Sequence, residues 1–329
     1  MKKVLISAPY LMTSLNRFEP VFSHYGIETI IAAVNERLEE EDLLKYAGEF
    51  DGVICGDDRF NEKVMTACVP RLKVISKWGT GIDSIDREAA KRLGVQVRNT
   101  PDAFTLPVAD TVMGYLLAFA RNIPWMDAMI KQGGWTKIPS MSLAELTLGV
   151  IGVGRIGKAV MHRANGFGMR LLGNDIVEVD PVFIREYQVE MLPLPDLLAQ
   201  ADYVSLNCDL NPTSRHLINE KTLAMMKTNA VLINTSRGPV IDEQALIRSL
   251  QMKHIHGAAL DVYEEEPLSV DNPLLKMENV LLGSHNSNSS PMAWERVHWN
   301  TIRNLLEGLE IPCNDLEQVR SNVINGGIL

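Results

Sequence analysis

Three segments in the second half of the chain each end an apolar run on a side chain capable of chemistry. The first reads NTSRGPVID, with Arg237 and Gly238 just past the apolar run 230–234. The second, ALDVYEEEP, carries Asp261 at the end of its run and Glu266 directly before Pro267. The third, NVLLGSH, closes on His285. Arginine presents a planar fork that grips a carboxylate through two parallel hydrogen bonds. Histidine exchanges a proton near neutral pH. A glutamate bonded to that histidine favours the imidazolium and fixes the ring. Reducing a 2-oxo acid asks for these functions together: an anchor for the carboxylate, polarisation of the carbonyl, and a proton for its oxygen. Taken singly, each residue has a plainer use. Arg237 would serve as a surface ion-pair partner, Glu266 as a solvated charge in the run 264–266, and His285 as a structural histidine. Their common address sets them apart, because all three follow expected strands, and parallel sheets bind ligands beyond the carboxyl ends of their strands.

The same rim holds a glycine loop. Gly152-Val153-Gly154-Arg155-Ile156-Gly157 directly follows the apolar strand 146–151. At a strand-to-helix junction, Gly152 permits the tight turn, Gly154 admits a pyrophosphate close to the backbone, and Gly157 lets helix and strand pack. The helix N-terminus beyond it, from Arg155 and Ile156, offers N–H groups to phosphates. Asp175 ends the next strand, 18 residues after Gly157, where a carboxylate accepts from a ribose 2′-hydroxyl. The residues after it, IVEVD, bring carboxylates and no cation, so NAD is expected rather than NADP. Asn207 and Thr235, at the ends of two further strands, are further candidate cofactor contacts.

The elements that must position these residues alternate along the chain. KVLIS, ETIIA, GVICG, KVISKW and VQVRN read as strands in the first hundred residues, with NERLEEEDLLKYAG and SIDREAAKRLG read as helices between them. Asn99-Thr100-Pro101 marks a boundary. A largely helical stretch of about thirty residues follows, with Pro124 expected to break it and its broad apolar side expected to be buried, against a second subunit if not within the protomer. RLLGND, YVSLN, AVLINTS, HGAALDV and NVLLGSH then read as a second strand series. The last helix starts at Ser290 as N-cap with Pro291 behind it, long enough to return to the first domain. The fold class is therefore α/β: two doubly wound parallel-sheet domains, a Rossmann cofactor domain (101–287) inserted in a flavodoxin-like substrate domain (1–100 and 288–329).

Composition bounds the partners. The 329 residues suit two domains, and the formal charge of −9 disfavours nucleic acid and anionic membrane surfaces. No apolar stretch approaches the ~18 residues a spanning helix needs. Cys55, Cys68, Cys208 and Cys313 form neither a CxxC pair nor a metal-ligand spacing, so no metal is expected. They read as reduced, mostly buried thiols of a cytoplasmic protein. His24, His162, His216, His254, His256 and His298 lack catalytic context and are read as structural.

With these segments in hand the chain resembles the D-isomer-specific 2-hydroxyacid dehydrogenases, nearest to their D-3-phosphoglycerate dehydrogenase-like members. The resemblance runs through WGTGIDSID, the NTP boundary, PVAD, TLGVIGVGRIGKAV, NTSRGPVIDEQAL and GAALDVYEEEP, in order. It implies an NAD-dependent oxidoreductase interconverting a D-2-hydroxy acid and its 2-oxo acid. It implies Arg237 as the carboxylate-binding arginine, Glu266 as the acid partner, His285 as the proton donor, and Asp261 as the holder of the nicotinamide carboxamide. It further implies that Gly79, Thr80 and Gly81 form the substrate-carboxylate loop, and that a homodimer forms partly through the long helix after residue 104.

The chain departs from that pattern in places. A polar run, Asn286 to Ser290, replaces the small glycine-containing run usual after the histidine. GVICG runs on into Asp57 and Asp58 where phosphoglycerate-specific members carry a basic residue, leaving Lys77 and Lys137 as phosphate candidates. Two alternatives stand beside the main reading: a non-catalytic NAD-sensing protein of the same fold, and a dehydrogenase of another small anion such as phosphite.

Overall fold

Continuous apolar runs set the sheets. In the computed structural model, which describes residues 1–324 and Gly326, the chain divides into Met1–Phe104 with Ser290–Leu329, and Thr105–Ser289 between them. The end of the C-terminal segment, residues 325 and 327–329, lies outside the described residues.

The first unit runs β1 (Lys2–Ile6), α1 (Pro9–Met12), α2 (Leu15–His24), β2 (Ile27–Ile31), α3 (Glu40–Leu44), β3 (Gly52–Cys55), α4 (Glu62–Cys68), β4 (Val74–Lys77), α5 (Arg87–Leu93) and β5 (Gln96–Arg98). Its five parallel strands are ordered β2-β1-β3-β4-β5, the flavodoxin-like arrangement. Leu5, Val53, Cys55 and Ile75 share one core face with Val64 and Met65 of α4. The segment NERLEEEDLLKYAG is helical only over Glu40–Leu44. The Leu38 N–H donates to the buried Asp58 carboxylate at 2.7 Å, which draws the preceding residues out of the helix and against the end of β3.

The second unit runs α6 (Thr105–Ala120), α7 (Ile123–Lys131), β6 (Thr147–Ile151), α8 (Arg155–Gly166), β7 (Arg170–Asn174), α9 (Pro181–Tyr187), β8 (Glu190–Met191), α10 (Leu194–Gln200), β9 (Tyr203–Leu206), α11 (Glu220–Leu223), β10 (Val231–Asn234), α12 (Glu243–Gln251), β11 (Gly257–Leu260) and β12 (Val280–Leu282). The seven strands are parallel in the order β12-β11-β10-β9-β6-β7-β8. That is a doubly wound sheet whose strand order reverses at β6, the position where such sheets bind dinucleotides. Both faces are covered: Val231 and Ile233 pack into one core, while Leu232 between them packs into the other. This burial on both sides explains why the strands read as unbroken apolar runs.

Pro124 acts as expected. α6 stops at Ala120, Asn122 takes a left-handed conformation (φ 54°), and Pro124 sits in the first turn of α7. Burial of the whole stretch does not hold within the protomer: α6 buries seven residues, whereas α7 buries none. Ser290 caps the last long helix, α13 (Pro291–Gly308), which is followed by α14 (Leu316–Ile324). α13 lies on the first unit's sheet so closely that a Cβ on Gly308 would fall 2.4 Å from Val74. Cys55 and Cys68 are buried, Cys208 and Cys313 only partly so, and all four are free thiols. Among the described residues no helix is long and apolar enough to cross a membrane.

Candidate active site

Arg237, Asp261 and His285 leave three adjacent strands. Asn234 of β10 pairs with Leu260 of β11, which pairs with Leu282 of β12. Each residue follows within three positions of its strand end, so all three leave the same rim of the sheet.

Side chains buried beneath hold the loops. The Asn234 amide donates to the Arg237 carbonyl (2.9 Å), and its oxygen accepts from the Ser236 N–H (3.0 Å). Asp261, 1% exposed, accepts from the N–H groups of Asn286 (3.0 Å) and Ser287 (2.8 Å), while its carbonyl accepts from the His285 N–H (2.8 Å). These three bonds hold His285 at φ 53°, a left-handed conformation that non-glycine residues rarely adopt. The Tyr263 N–H donates to Glu266 Oε1 (2.9 Å), and its hydroxyl donates to the Gly283 carbonyl (2.7 Å). Burial, reinforced by nearby ionisable groups, raises the Tyr263 phenol far above its ordinary range. Burial, followed by the charge of Asp261, pushes the neighbouring Tyr115 up to about 12. Both phenols are therefore neutral at physiological pH.

Glu266 Oε2 lies 2.8 Å from His285 Nδ1. An ionised carboxylate only accepts, so the proton of that bond sits on Nδ1 and Nε2 is left to exchange one. The pair is a third exposed or less, well placed to meet a small molecule without being flooded by water.

The glycine loop fits a dinucleotide. Gly152 has φ 87°, and a Cβ there would lie 2.6 Å from the Cys208 nitrogen; one on Gly157 would lie 2.1 Å from the Gly152 oxygen. Gly154, by contrast, has nothing within 4 Å of a Cβ position, leaving room at the N-terminus of α8. The first intrahelical bond is Lys158 N–H to Gly154 O (2.9 Å), so the Ile156 and Gly157 N–H groups precede the ladder. Asp175 accepts from the Val153 N–H (2.6 Å) and the Val177 N–H (3.0 Å), tying the loop to the end of β7. Two buried oxygens, Asn207 Oδ1 and Thr235 Oγ1, have no hydrogen-bond partner among the described residues. Both end strands of this rim, and unsatisfied buried oxygens are what a polar cofactor would complete. Burial pushes the adjacent Cys208 thiol up to about 11, so it stays protonated.

Lys77, Gly79, Thr80 and Gly81 belong to the first unit. Gly79 has φ 120° and its carbonyl accepts from the Thr100 N–H (2.8 Å), while the Thr80 hydroxyl donates to the Thr100 carbonyl (2.9 Å). The Lys77 ammonium is buried and lies 3.0 Å from Asp57. Lys137 is exposed in the loop after α7. Asn234 and Tyr263 escaped the sequence reading. The Asn-Thr-Ser run after β10 carries a signal for the first, because asparagine at a strand end commonly folds the next turn onto its side chain.

A glycine loop at the switch point of a doubly wound sheet, with an arginine and a carboxylate-bound histidine past strand ends of the same rim, defines a dinucleotide-dependent oxidoreductase. Residues 113–287 match the family described as D-isomer specific 2-hydroxyacid dehydrogenase, NAD binding domain. The chain is 40% identical over 257 residues to a glyoxylate reductase of Korarchaeum cryptofilum, spanning 76% of this chain and 77% of that protein. It is 40% identical over 263 residues to a D-3-phosphoglycerate dehydrogenase of Methanocaldococcus jannaschii, spanning 78% of this chain and 49% of that protein. The crystal structure of a glyoxylate reductase from Paecilomyes thermophila superposes with a TM-score of 0.79 at 26% identity, covering 100% of this chain and 97% of that one. The chain belongs to the D-isomer specific 2-hydroxyacid dehydrogenase family. It is an NAD-dependent enzyme of that family.

Proposed function

We propose that the enzyme interconverts a small, unphosphorylated 2-oxo acid of the glyoxylate or hydroxypyruvate kind with its D-2-hydroxy acid. The observation that carries the chemistry is the 2.8 Å contact between His285 Nδ1 and Glu266. NAD supplies the hydride acceptor, and in its reduced form the hydride donor. Arg237 holds the substrate carboxylate in its fork and polarises the carbonyl, where a charge-assisted bond gains most as negative charge develops. His285 Nε2 delivers a proton to the carbonyl oxygen during reduction and takes it back during oxidation. Glu266 accepts from Nδ1, keeping that proton on the ring, and stabilises the imidazolium between turnovers. Gly152, Gly154, Arg155, Ile156, Gly157 and Asp175 are assigned to the dinucleotide, with Asn207, Thr235 and Asp261 completing its contacts.

The absence of phosphate from the substrate is argued from Lys77. A cation offered to a phosphate must be able to reach it, yet this ammonium is 5% exposed and already neutralised by Asp57. The similarity to a glyoxylate reductase of matching length supports the same choice. Steady-state NADH oxidation with glyoxylate, hydroxypyruvate and phosphohydroxypyruvate tests it. One of the first two is expected to exceed the phosphorylated acid at least about tenfold in kcat/KM; the reverse ranking would overturn the assignment.

A homodimer is part of the proposal. Ile123, Met126 and Ile130 on α7, and Trp135 beyond it at 90% exposed, present apolar surface that a second copy would cover. Sedimentation should give twice the chain mass, and a monomer at micromolar concentration would refute it. Four free thiols support a reducing compartment such as the cytoplasm.

A further inference from the structure

His216 stands apart from the substrate-handling residues, yet it touches both loops that carry them. Its N–H donates to the Pro239 carbonyl (2.8 Å), two residues beyond Arg237. Its ring Nε2 lies 2.7 Å from Glu264 Oε1, two residues before Glu266. The backbone geometry around it is specified: φ is 50°, and its carbonyl accepts from the Asn219 side-chain amide (2.8 Å). Ile218 continues the seam, donating to the Val240 carbonyl (3.1 Å) and accepting from the Asp242 N–H (2.7 Å). Glu264 is gripped from its other side, because its N–H donates to Glu243 at 3.2 Å.

We infer that His216 is a positioning residue, a strap that locks the loop of Arg237 to the loop of Glu266 and so sets the alignment of Glu266 on His285. The inference rests on the catalytic reading of His285 given above. A residue at φ 50° accepts a steric penalty that glycine would avoid, and the side chain thereby delivered is the one that bridges the two loops. The bridge consists of one hydrogen bond between a half-exposed pair, so its effect on overall stability is small. Its leverage on catalysis is larger, because small misplacements of a catalytic group cost rate steeply.

The test compares His216→Ala, His216→Gln and His216→Gly in the full-length enzyme, with glyoxylate and hydroxypyruvate as substrates. Alanine removes the ring contact. Glutamine keeps an N–H donor for Glu264, and glycine relieves the backbone while still lacking the ring. Alanine and glycine are expected to lower kcat about three- to tenfold, with NADH affinity unchanged. In the reduction direction activity falls as His285 loses its proton. A looser Glu266 therefore moves that alkaline limb to lower pH. Glutamine should restore both rate and profile. A fall in kcat with no movement of the limb, or an alanine variant indistinguishable from wild type, would overturn the inference. His285→Ala run alongside separates the two levels: full activity in that variant would refute the catalytic reading itself.

Discussion

Substituting Gly238 by alanine perturbs the site through backbone alone. Gly238 opens the 3-10 turn Gly238–Val240 directly after Arg237. A Cβ there would lie 1.8 Å from the Tyr263 oxygen, 1.9 Å from its carbonyl carbon and 2.5 Å from the Glu264 nitrogen. All three obstacles are main chain, so no side chain can rotate away. Real Cβ atoms essentially never approach closer than 3.0 Å, so the two loops must separate by about 1 Å. The Tyr263 N–H holds Glu266, and Glu266 holds His285 at 2.8 Å. A gap of that size breaks a hydrogen bond of this length. Misplacement by about 1 Å lowers rate by about a hundredfold, or about 2.7 kcal/mol of transition-state stabilisation. Steady-state NADH oxidation gives kcat, and NADH fluorescence titration gives cofactor affinity, which should fall less than kcat because the glycine loop follows a different strand while Thr235 and Asp261 lie in the displaced loops. A Gly238→Ala enzyme within threefold of wild type in kcat would refute the claim that this backbone contact sets the alignment.

Burial raises the Asp58 carboxyl from 3.8 to about 6, against the lowering effect of the Ser7 and Leu38 hydrogen bonds. A raised carboxyl stabilises the fold while protonated: the contribution is complete below about pH 4 and lost as pH rises through about 6. Asp58→Asn should therefore be more stable than wild type at pH 8, by up to about 3 kcal/mol, and lose that advantage near pH 4; urea denaturation at the two pH values would show no such difference if burial of the charge were immaterial. His298 carries the opposite sign, lowered from 6.5 to about 4 by burial, so its contribution holds above pH 6.5 and disappears as pH falls through about 4. Replacing it with glutamine, which can still accept from Trp78 Nε1 (3.0 Å), should flatten that part of the stability profile; an unchanged slope between pH 6.5 and 4 would count against it. Asp175→Asn should weaken NADH about tenfold in KM while narrowing the preference over NADPH, and an unchanged cofactor ratio would remove Asp175 from the ribose site.

Much of this architecture is legible in the sequence because its signals are local. The glycine loop, the proline that ends α6 and the serine that caps α13 each act within a turn of their own position. The strand ends carrying Arg237 and His285 were readable for the same reason: continuous apolar runs mark strands buried on both faces. What stayed hidden depends on pairing across the sheet. Cys55 of β3 sits opposite Lys77 of β4, which brings the lysine against Asp57, a relation that their separation of 20 positions conceals. Leu38 leaves a helical pattern because a buried carboxylate 20 residues on requires its N–H. Tyr263 looks like an ordinary residue in ALDVYEEEP until the fold brings Gly283 to its hydroxyl. His216 looks structural in isolation and shows its bridge only once Glu264 arrives beside it.

The central claim is that proton transfer runs through His285 under the hold of Glu266. The most direct test measures kcat for 2-oxo acid reduction by His285→Ala at saturating NADH, with NADH affinity determined independently. The account predicts a loss of about a hundredfold or more, with NADH affinity within twofold of wild type. A variant that binds NADH normally and turns over within threefold of wild type would contradict it.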